Sequence, residues 1–204
     1  MNNIQFITHE NQRFGYVEGA EMALRGGCKW VQLRMKDATD NEFLSVGRKV
    51  STLCRNNNAT FLLDDRVHLV AELGADGVHL GKNDMPISEA RCMLGSEKII
   101  GGTANTFTDV QRLAAEGANY IGCGPFRYTK TKRNLAPVLG LEGYQNILEQ
   151  MRKTNICLPL VAIGGIVSTD IAALITIGVS GIAVSGAILE AINPINEMTK
   201  LIEI

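Results

Sequence analysis

The stretch Gly74-Ala-Asp-Gly-Val-His-Leu-Gly81 decides the fold. Its first glycine ends a helix, two residues follow, and a short apolar run forms a strand. Glycine suits this position because the C-terminal cap of a helix commonly adopts a left-handed conformation. The same arrangement recurs at Gly27–Val31, Gly117–Ile121 and Gly178–Ile182. The repeat predicts helices and strands that alternate along the chain.

Eight short apolar runs are predicted to be strands. They lie near Ile4–Ile7, Trp30–Arg34, Thr60–Leu63, Gly77–Leu80, Ile99–Gly101, Tyr120–Cys123, Leu160–Ile163 and Gly181–Val184. Apolar residues between them have helical spacing, as in Phe43, Val46 and Val50. Eight units in 204 residues leave about 25 residues each, which is typical of a compact barrel. We predict one α/β domain over residues 1–204, a single (β/α)8 TIM barrel, with a doubly wound open sheet as the alternative.

The composition indicates a globular protein that acts on small molecules. Hydrophobic residues make up 46% and charged residues 20% of the chain, which excludes a disordered chain. The net charge of −1 argues against general binding of nucleic acid or of an anionic membrane. We find no bilayer-spanning run, signal peptide or paired cysteines, so we expect a soluble cytoplasmic protein with reduced thiols. Homo-oligomer formation is left open.

One connection is much longer than the others. Residues 124–140 follow the sixth strand and carry no helical period. Loops longer than about 12–15 residues in compact domains are usually functional lids or disordered inserts, and we predict a lid. This loop contains Thr129-Lys-Thr-Lys-Arg133, whose hydroxyl and ammonium groups can bind phosphoryl oxygens. A solvated basic loop would have the same composition.

Polar residues cluster where strands two, three and four end, which is the edge of a barrel that carries active sites. Period-two alternation places Gln32, Arg34 and Lys36 on one face, the inward one if the apolar residues between them pack against helices. Two cations at a barrel mouth require an anion; two surface cations on a turn are the alternative. Asp65 and Asp84 follow strands three and four and suit a magnesium ion that bridges a phosphate, unless they only cap helices.

A second anion site is predicted after strands seven and eight. The loops Ala162-Ile-Gly-Gly-Ile166 and Ala183-Val-Ser-Gly-Ala187 follow these strands. Loops at this place in barrels recurrently bind phosphate through backbone N–H groups, which glycines leave accessible. We therefore expect a phosphate near Gly165 and Ser185, although the glycines could serve tight turns alone.

The remaining candidates favour structural roles. His79 lies within the fourth strand and is more typical of a hydrogen-bonded barrel histidine than of a catalyst. His9 and His68 are expected at the surface. Cys123 lies at the end of strand six without a histidine to act as its base.

The chain resembles the thiamine phosphate synthase family. The motifs that carry the resemblance are Gln32-Leu-Arg-Met-Lys-Asp37, Leu63-Asp-Asp-Arg-Val67, Ala75-Asp-Gly-Val-His-Leu-Gly81 with Asp84, Gly101-Gly-Thr-Ala-Asn-Thr106, Gly122-Cys-Gly-Pro125 with Thr129-Lys-Thr-Lys132, and Ala162-Ile-Gly-Gly-Ile166. They cover nearly the whole chain in the family's order. The resemblance implies a (β/α)8 transferase that condenses a pyrimidine diphosphate with hydroxyethylthiazole phosphate, or its carboxylated tautomer, with the help of Mg²⁺.

The resemblance also implies roles for individual residues. Those expected to bind the pyrimidine diphosphate are Gln32, Leu33, Arg34, Met35, Lys36, Asp64, Thr103 and Lys132. Those expected to bind the thiazole phosphate are Thr129, Lys130, Thr131, Gly165, Val184 and Ser185. Asp65 and Asp84 would hold Mg²⁺. Catalysis would rest on Arg34, Lys36 and Lys132, which stabilise the departing pyrophosphate in a dissociative, carbocation-like substitution.

Some positions depart from the family pattern. Asp64 stands where the family usually has asparagine, which removes an amide donor and adds a charge beside Asp65. Lys82 replaces a common glutamine, and residues 126–128 differ from the usual lid sequence. Two other functions are considered. A thiazole tautomerase of the same fold depends on a histidine just beyond strand six, where this chain has Gly124-Pro125, and a non-catalytic phosphate-binding barrel needs neither the metal carboxylates nor the lid lysine.

Overall fold

A computed structural model describes residues 3–129 and 136–204. The strands are β1 (Asn3–Ile7), β2 (Trp30–Leu33), β3 (Thr60–Asp64), β4 (Gly77–Leu80), β5 (Ile99–Ala104), β6 (Tyr120–Cys123), β7 (Leu160–Ile163) and β8 (Gly181–Val184). They form a closed barrel in chain order, and β8 pairs in parallel with β1. The predicted (β/α)8 barrel is confirmed. A doubly wound open sheet is excluded, because an open sheet has two edge strands and the pairing of β8 with β1 leaves none.

Helices connect the strands on the outside of the barrel. They are α1 (Tyr16–Arg25), α2 (Asp40–Asn56), α3 (Val70–Leu73), α4 (Ile87–Leu94), α5 (Phe107–Ala115), α6 (Gly140–Lys153), α7 (Ser168–Ile177), α8 (Gly186–Leu189) and α9 (Pro194–Glu203), and a 3-10 turn spans Val67–Leu69. Local sequence fixes some of their starts. At α2 the Thr39 hydroxyl accepts a hydrogen bond from the Glu42 N–H, and the Glu42 carboxylate accepts one from the Thr39 N–H.

Alternation along the strands divides the apolar residues between two layers. The smaller layer fills the barrel interior and consists of Ile7, Leu62, Tyr120, Val161 and Ala183. The larger layer lies between the strands and the helices and includes Val31 and Leu33, both fully buried. Because these two residues face outward, the residues that alternate with them face the barrel axis, as the sequence predicts.

The long connection after β6 is described at residues 124–129 and 136–139, and these contain no helix or strand. Its first residues continue the pairing with the neighbouring loop, because Phe126 N donates to Ile163 O and Arg127 N donates to Gly164 O, each at 2.9 Å. The lid function of residues 124–140 and the single-domain assignment of residues 1–204 remain predictions. Across the described parts of the chain, no helix is long and apolar enough to span a membrane.

Candidate active site

Three carboxylates surround one ammonium group at the ends of β2, β3 and β4. Lys36 Nζ lies 2.9 Å from Asp64 Oδ2, 3.4 Å from Asp84 Oδ2 and 3.8 Å from Asp65 Oδ2. Burial of Lys36 favours its neutral form, but the charges of the three aspartates outweigh this effect and raise its pKa. The structure thus brings together the predicted metal carboxylates and a predicted diphosphate-binding lysine around a position that attracts a cation.

Asp65 has an unusual backbone and a perturbed carboxyl group. Its φ of 71° lies in the left-handed region, which a residue other than glycine rarely adopts and which often marks a functional site. Burial raises the pKa of Asp65, the Asp84 charge adds to this effect, and Lys36 opposes it. The Asp65 carboxylate also pairs with Arg66, whose Nη1 lies 3.3 Å away. Two neighbouring carboxylates that repel each other bind a cation favourably.

This donor set fits Mg²⁺. The ion prefers carboxylate oxygens, usually one or two from the protein, and completes its shell with water and substrate phosphate oxygens. Asp65 and Asp84 supply such a pair, and the Lys36 ammonium close to both marks the place of a positive charge. Residues 3–129 and 136–204 contain no group of three or more histidine, cysteine or acidic side chains arranged to hold a metal. The remaining ligands would therefore have to come from substrate and water.

Gln32 and Asp64 form a buried pair beside this cluster. Gln32 is 1% exposed, and its Nε2 donates to Asp64 Oδ1 at 2.8 Å. The other side-chain atom, Gln32 Oε1, is buried and accepts no hydrogen bond from the described residues. A buried acceptor without a donor is costly, so this oxygen is suited to a donor on a ligand. Arg34 Nε lies 4.0 Å from Asp64 Oδ2, and the Arg34 backbone N–H donates to Thr8 Oγ1 at 3.0 Å.

Two of the predicted diphosphate-binding residues do not present their side chains to this cluster. Leu33 and Met35 are 0% and 7% exposed and pack in the layer between strands and helices. Only their backbone atoms are therefore able to face a ligand at the mouth of the barrel. The alternation that points Gln32, Arg34 and Lys36 inward points these two side chains outward.

The loops after β6 and β7 are tied together beside the predicted thiazole phosphate site. Gly165 has a φ of 68°, which favours glycine, and its carbonyl oxygen accepts a hydrogen bond from Arg127 Nη1 at 2.8 Å. The Arg127 guanidinium also binds Asp170 in α7 in a bidentate manner, at 2.6 and 2.9 Å. Arg127 therefore fixes the conformation of the glycine loop, a role that the sequence analysis did not assign.

Ser185 meets a histidine that was expected at the surface. His9 Nδ1 lies 2.6 Å from Ser185 Oγ, which in turn donates to the backbone oxygen of Ile7. The surface assignment of His9 is wrong, because the residue is half-buried where the barrel closes. Burial lowers the pKa of His9, Glu190 opposes this effect and Arg34 adds to it. Its place two residues beyond β1, on the same edge as the other candidates, is the signal that could have identified it.

Val184, the predicted phosphate-binding residue before Ser185, is buried, with 3% of its surface exposed.

The other candidates lie on β5, at the end of β6 and in the long connection after it. Thr103 lies near the end of β5 with its hydroxyl 3.0 Å from His79 Nε2, which confirms His79 as a hydrogen-bonded barrel histidine. Cys123 is fully buried, and burial raises the pKa of its thiol to about 12, so it stays protonated and unreactive. Thr129 is half-buried at the end of a described segment. The predicted site residues Lys130, Thr131 and Lys132 lie outside the described residues.

A family model, several relatives and a solved structure with 33% identity identify one family. Residues 4–188 match the family described as thiamine monophosphate synthase. The chain is 56% identical over 204 residues, 100% of both chains, to a thiamine-phosphate synthase of Bacteroides fragilis. It is 53% identical over 201 residues to that of Phocaeicola vulgatus, covering 98% of this chain and 97% of the relative. The solved structure of thiamine phosphate pyrophosphorylase from Pyrococcus furiosus superposes with a TM-score of 0.88 and 33% identity, covering 98% of this chain and 94% of that one.

Proposed function

The chain belongs to the thiamine monophosphate synthase family, and from this premise we propose how its barrel mouth carries out the reaction. The activity is that of a thiamine-phosphate synthase, a transferase of thiamine biosynthesis. The two substrates we assign are 4-amino-2-methyl-5-(diphosphooxymethyl)pyrimidine and hydroxyethylthiazole phosphate or its carboxylated tautomer. The carbon–oxygen bond to the diphosphate breaks with its electron pair, and the thiazole nitrogen forms a bond to the resulting methylene cation. Pyrophosphate leaves, and with the carboxylated tautomer CO2 leaves as well.

The cluster around Lys36 carries the proposal. Asp84 and Asp65 lie farther from the Lys36 ammonium, at 3.4 and 3.8 Å, than Asp64 does at 2.9 Å. An arriving diphosphate would therefore displace these two carboxylates from the ammonium more easily than it would displace Asp64. Asp65 and Asp84 would then hold Mg²⁺, which when bound supplies positive charge that stabilises the departing pyrophosphate. Arg34, whose contact with Asp64 is long, is placed to bind the same oxygens. Positive charges held in place before the bond breaks stabilise the transition state more than the bound substrate.

The buried Gln32–Asp64 pair would orient the pyrimidine. Asp64 holds the amide nitrogen of Gln32 at 2.8 Å, which fixes the direction of the unpartnered Oε1. The amino group of the pyrimidine is a donor of the kind that this oxygen lacks. Asp64 fulfils this role although the family usually has asparagine there, because a carboxylate accepts the same hydrogen bond from Gln32.

The thiazole phosphate would lie on the opposite side, where the loops after β7 and β8 end. The backbone of Gly165, Val184 and Ser185 and the hydroxyl group of Thr129 would bind its phosphate. The assignments of Lys130, Thr131 and Lys132 and the cytoplasmic location remain predictions, and homo-oligomer formation stays open. A tautomerase would need a histidine directly after β6, and residues 124–126 there are Gly-Pro-Phe.

A coupled assay tests the proposal. We expect pyrophosphate release only when both substrates and Mg²⁺ are present, and we expect chelation by EDTA to abolish it reversibly. The unfolding transition measured in EDTA should be retained, which separates loss of the ion from loss of the fold. Pyrophosphate release at the same rate without the thiazole phosphate would contradict the substitution mechanism, and full activity in EDTA would contradict the metal assignment.

A further inference from the structure

A line of four polar side chains crosses the barrel interior and ends at Thr103, near the end of β5. Gln5 Nε2 lies 3.3 Å from the Tyr120 hydroxyl, which lies 2.9 Å from His79 Nδ1, and His79 Nε2 lies 3.0 Å from Thr103 Oγ1. We call these four residues the barrel relay. Gln5 and Tyr120 are 2% and 4% exposed, so their polar groups depend on each other for hydrogen bonds.

The chemistry of these groups gives the relay a direction. The Gln5 amide nitrogen only donates, so the Tyr120 oxygen accepts from it and the Tyr120 O–H donates a hydrogen bond to His79 Nδ1. A nitrogen that accepts carries no proton, so the single ring proton of a neutral His79 lies on Nε2 and is donated to Thr103. The Thr103 hydroxyl proton then points away from His79. Burial raises the pKa of Tyr120, so the phenol keeps the proton that the relay requires.

We propose that Gln5, Tyr120 and His79 are positioning residues that make the Thr103 hydroxyl a hydrogen-bond donor toward the pyrimidine diphosphate. This inference rests on the proposed function and on the family resemblance, which implies that Thr103 contacts that substrate. A free threonine hydroxyl rotates and either donates or accepts. Because His79 donates to the hydroxyl oxygen, the Thr103 proton is directed away from His79 and is available for donation to the substrate. An anionic diphosphate or an unprotonated ring nitrogen of the pyrimidine accepts such a bond.

Two glycines provide the space that the relay occupies. A Cβ atom on Gly101 would lie 2.1 Å from Cζ of Tyr120, and one on Gly122 would lie 2.7 Å from Cε1 of His79. Both distances are shorter than contact allows, so neither position accepts a side chain while the rings remain in place. Trp30 contacts Tyr120 edge-on, with 4.9 Å between ring centroids, and supports the phenol ring. The relay is therefore a built feature of the barrel interior.

The first test reads the proton on His79 directly. In the full-length protein labelled with ¹⁵N, two-bond correlations from the ring carbon protons to the nitrogens distinguish the tautomers. We expect the Nε2–H tautomer in the free protein, and we expect Tyr120→Phe to change the nitrogen shift of Nδ1. A proton on Nδ1 would reverse the relay and overturn the proposal, as would an unchanged Nδ1 signal in the variant.

The second test is a double-mutant cycle on steady-state kinetics. Tyr120→Phe and Thr103→Val should each raise the KM for the pyrimidine diphosphate by about tenfold, the effect of one hydrogen bond at the substrate. The KM for the thiazole phosphate should stay unchanged. The double variant should be no worse than Thr103→Val alone, because Tyr120 acts through Thr103. Multiplicative effects would overturn the proposal.

A matched control separates positioning from general loss of packing. Tyr144 is also a fully buried tyrosine, and its hydroxyl donates to the backbone oxygen of Cys123, outside the relay. Tyr144→Phe should lower the melting temperature without changing the KM for the pyrimidine diphosphate. If the wild-type protein makes no product from the two substrates, the proposed function fails, whereas the tautomer still tests the relay. If the wild type is active and Tyr120→Phe has an unchanged KM, only the relay fails.

Discussion

Lys36 takes part in two different charge interactions. It neutralises three carboxylates in the free protein, and in the proposed reaction it binds the diphosphate. Asp64 stays closest to it, at 2.9 Å, and is the most buried of the three. The ammonium therefore remains held at the mouth by Asp64 when Asp65 and Asp84 turn to another cation. A positive charge that is already held in place needs little rearrangement when the carbon–oxygen bond to the diphosphate breaks, so more of its interaction energy stabilises the transition state.

Replacement of Lys36 by methionine should abolish most of the activity. The apolar side chain retains the volume but removes the positive charge from the departing pyrophosphate, so we expect kcat to fall by about 100-fold or more. Single-turnover kinetics with both substrates measure the effect. Lys153→Met, which removes an exposed lysine paired with Glu149 on α6, serves as the control and should leave kcat unchanged. A Lys36→Met variant with normal turnover would remove the central element of the mechanism.

At the residue scale the sequence predicts charges better than hydrogen-bond partners. Arg34, Lys36, Asp65 and Asp84 were identified because each follows a strand, and the barrel places such ends together. Tyr120 was not identified, because its partner Gln5 lies 115 residues away and only barrel closure brings the two into contact. Both residues occupy strand positions that simple alternation assigns to the core.

At the scale of elements, strand positions were predictable because glycine caps and apolar runs mark them locally. The main difference concerns β5, predicted to end at Gly101 and observed to continue to Ala104. Gly101 and Gly102 look like a turn in the sequence. They serve instead as strand residues that leave space, Gly101 for Tyr120 and Gly102 for Leu113, whose Cδ2 would lie 2.3 Å from an added Cβ. The need for that space is a tertiary property.

The connection between the β6 and β7 loops should be necessary for binding the thiazole phosphate. Arg127→Ala removes the hydrogen bond to Gly165 and the bidentate pair with Asp170, so the glycine loop loses its support. We expect the KM for the thiazole phosphate to rise by roughly tenfold with little change in the KM for the pyrimidine diphosphate. Arg112→Ala is a matched control, because it also removes a surface ion pair, here with Glu116 on α5.

Equal effects on both KM values, or effects of the same size in Arg112→Ala, would contradict this role for Arg127. The lid function of the long connection stays a prediction, and the predicted phosphate ligands Lys130, Thr131 and Lys132 lie outside the described residues. Composition and length identified this segment as unusual, but neither determines the position of a side chain.

At the scale of the whole molecule, barrel closure depends on the contact between β1 and β8. His9 and Ser185 lie where these strands end, and burial lowers the pKa of His9 from its usual 6.5. Below about pH 6.5 the unfolded chain therefore binds more protons than the folded chain, so stability falls as the pH decreases toward the pKa of the folded state. Acid should loosen the closure of the barrel.

Thermal unfolding of the wild type and of His9→Gln between pH 8 and pH 5 measures this effect. The amide retains a donor for Ser185 but does not titrate, so we expect the melting temperature of the variant to fall less steeply below about pH 6.5. Near pH 8 the melting temperatures of the wild type and the variant should change with pH at the same rate. Identical slopes below pH 6.5 would show that His9 titrates alike in the folded and unfolded chains.

The hydrogen bond from Ser185 to Ile7 joins positions that are 178 residues apart. On the ribosome the segment with Ile7 therefore emerges long before the segment that completes it. A nascent chain that stops short of β8 has a first strand with one unpaired edge, because β1 then pairs only with β2. It also lacks the β8 side of the predicted phosphate site, and we expect it to be a client of chaperones. Catalysis becomes possible only after β8 has been translated.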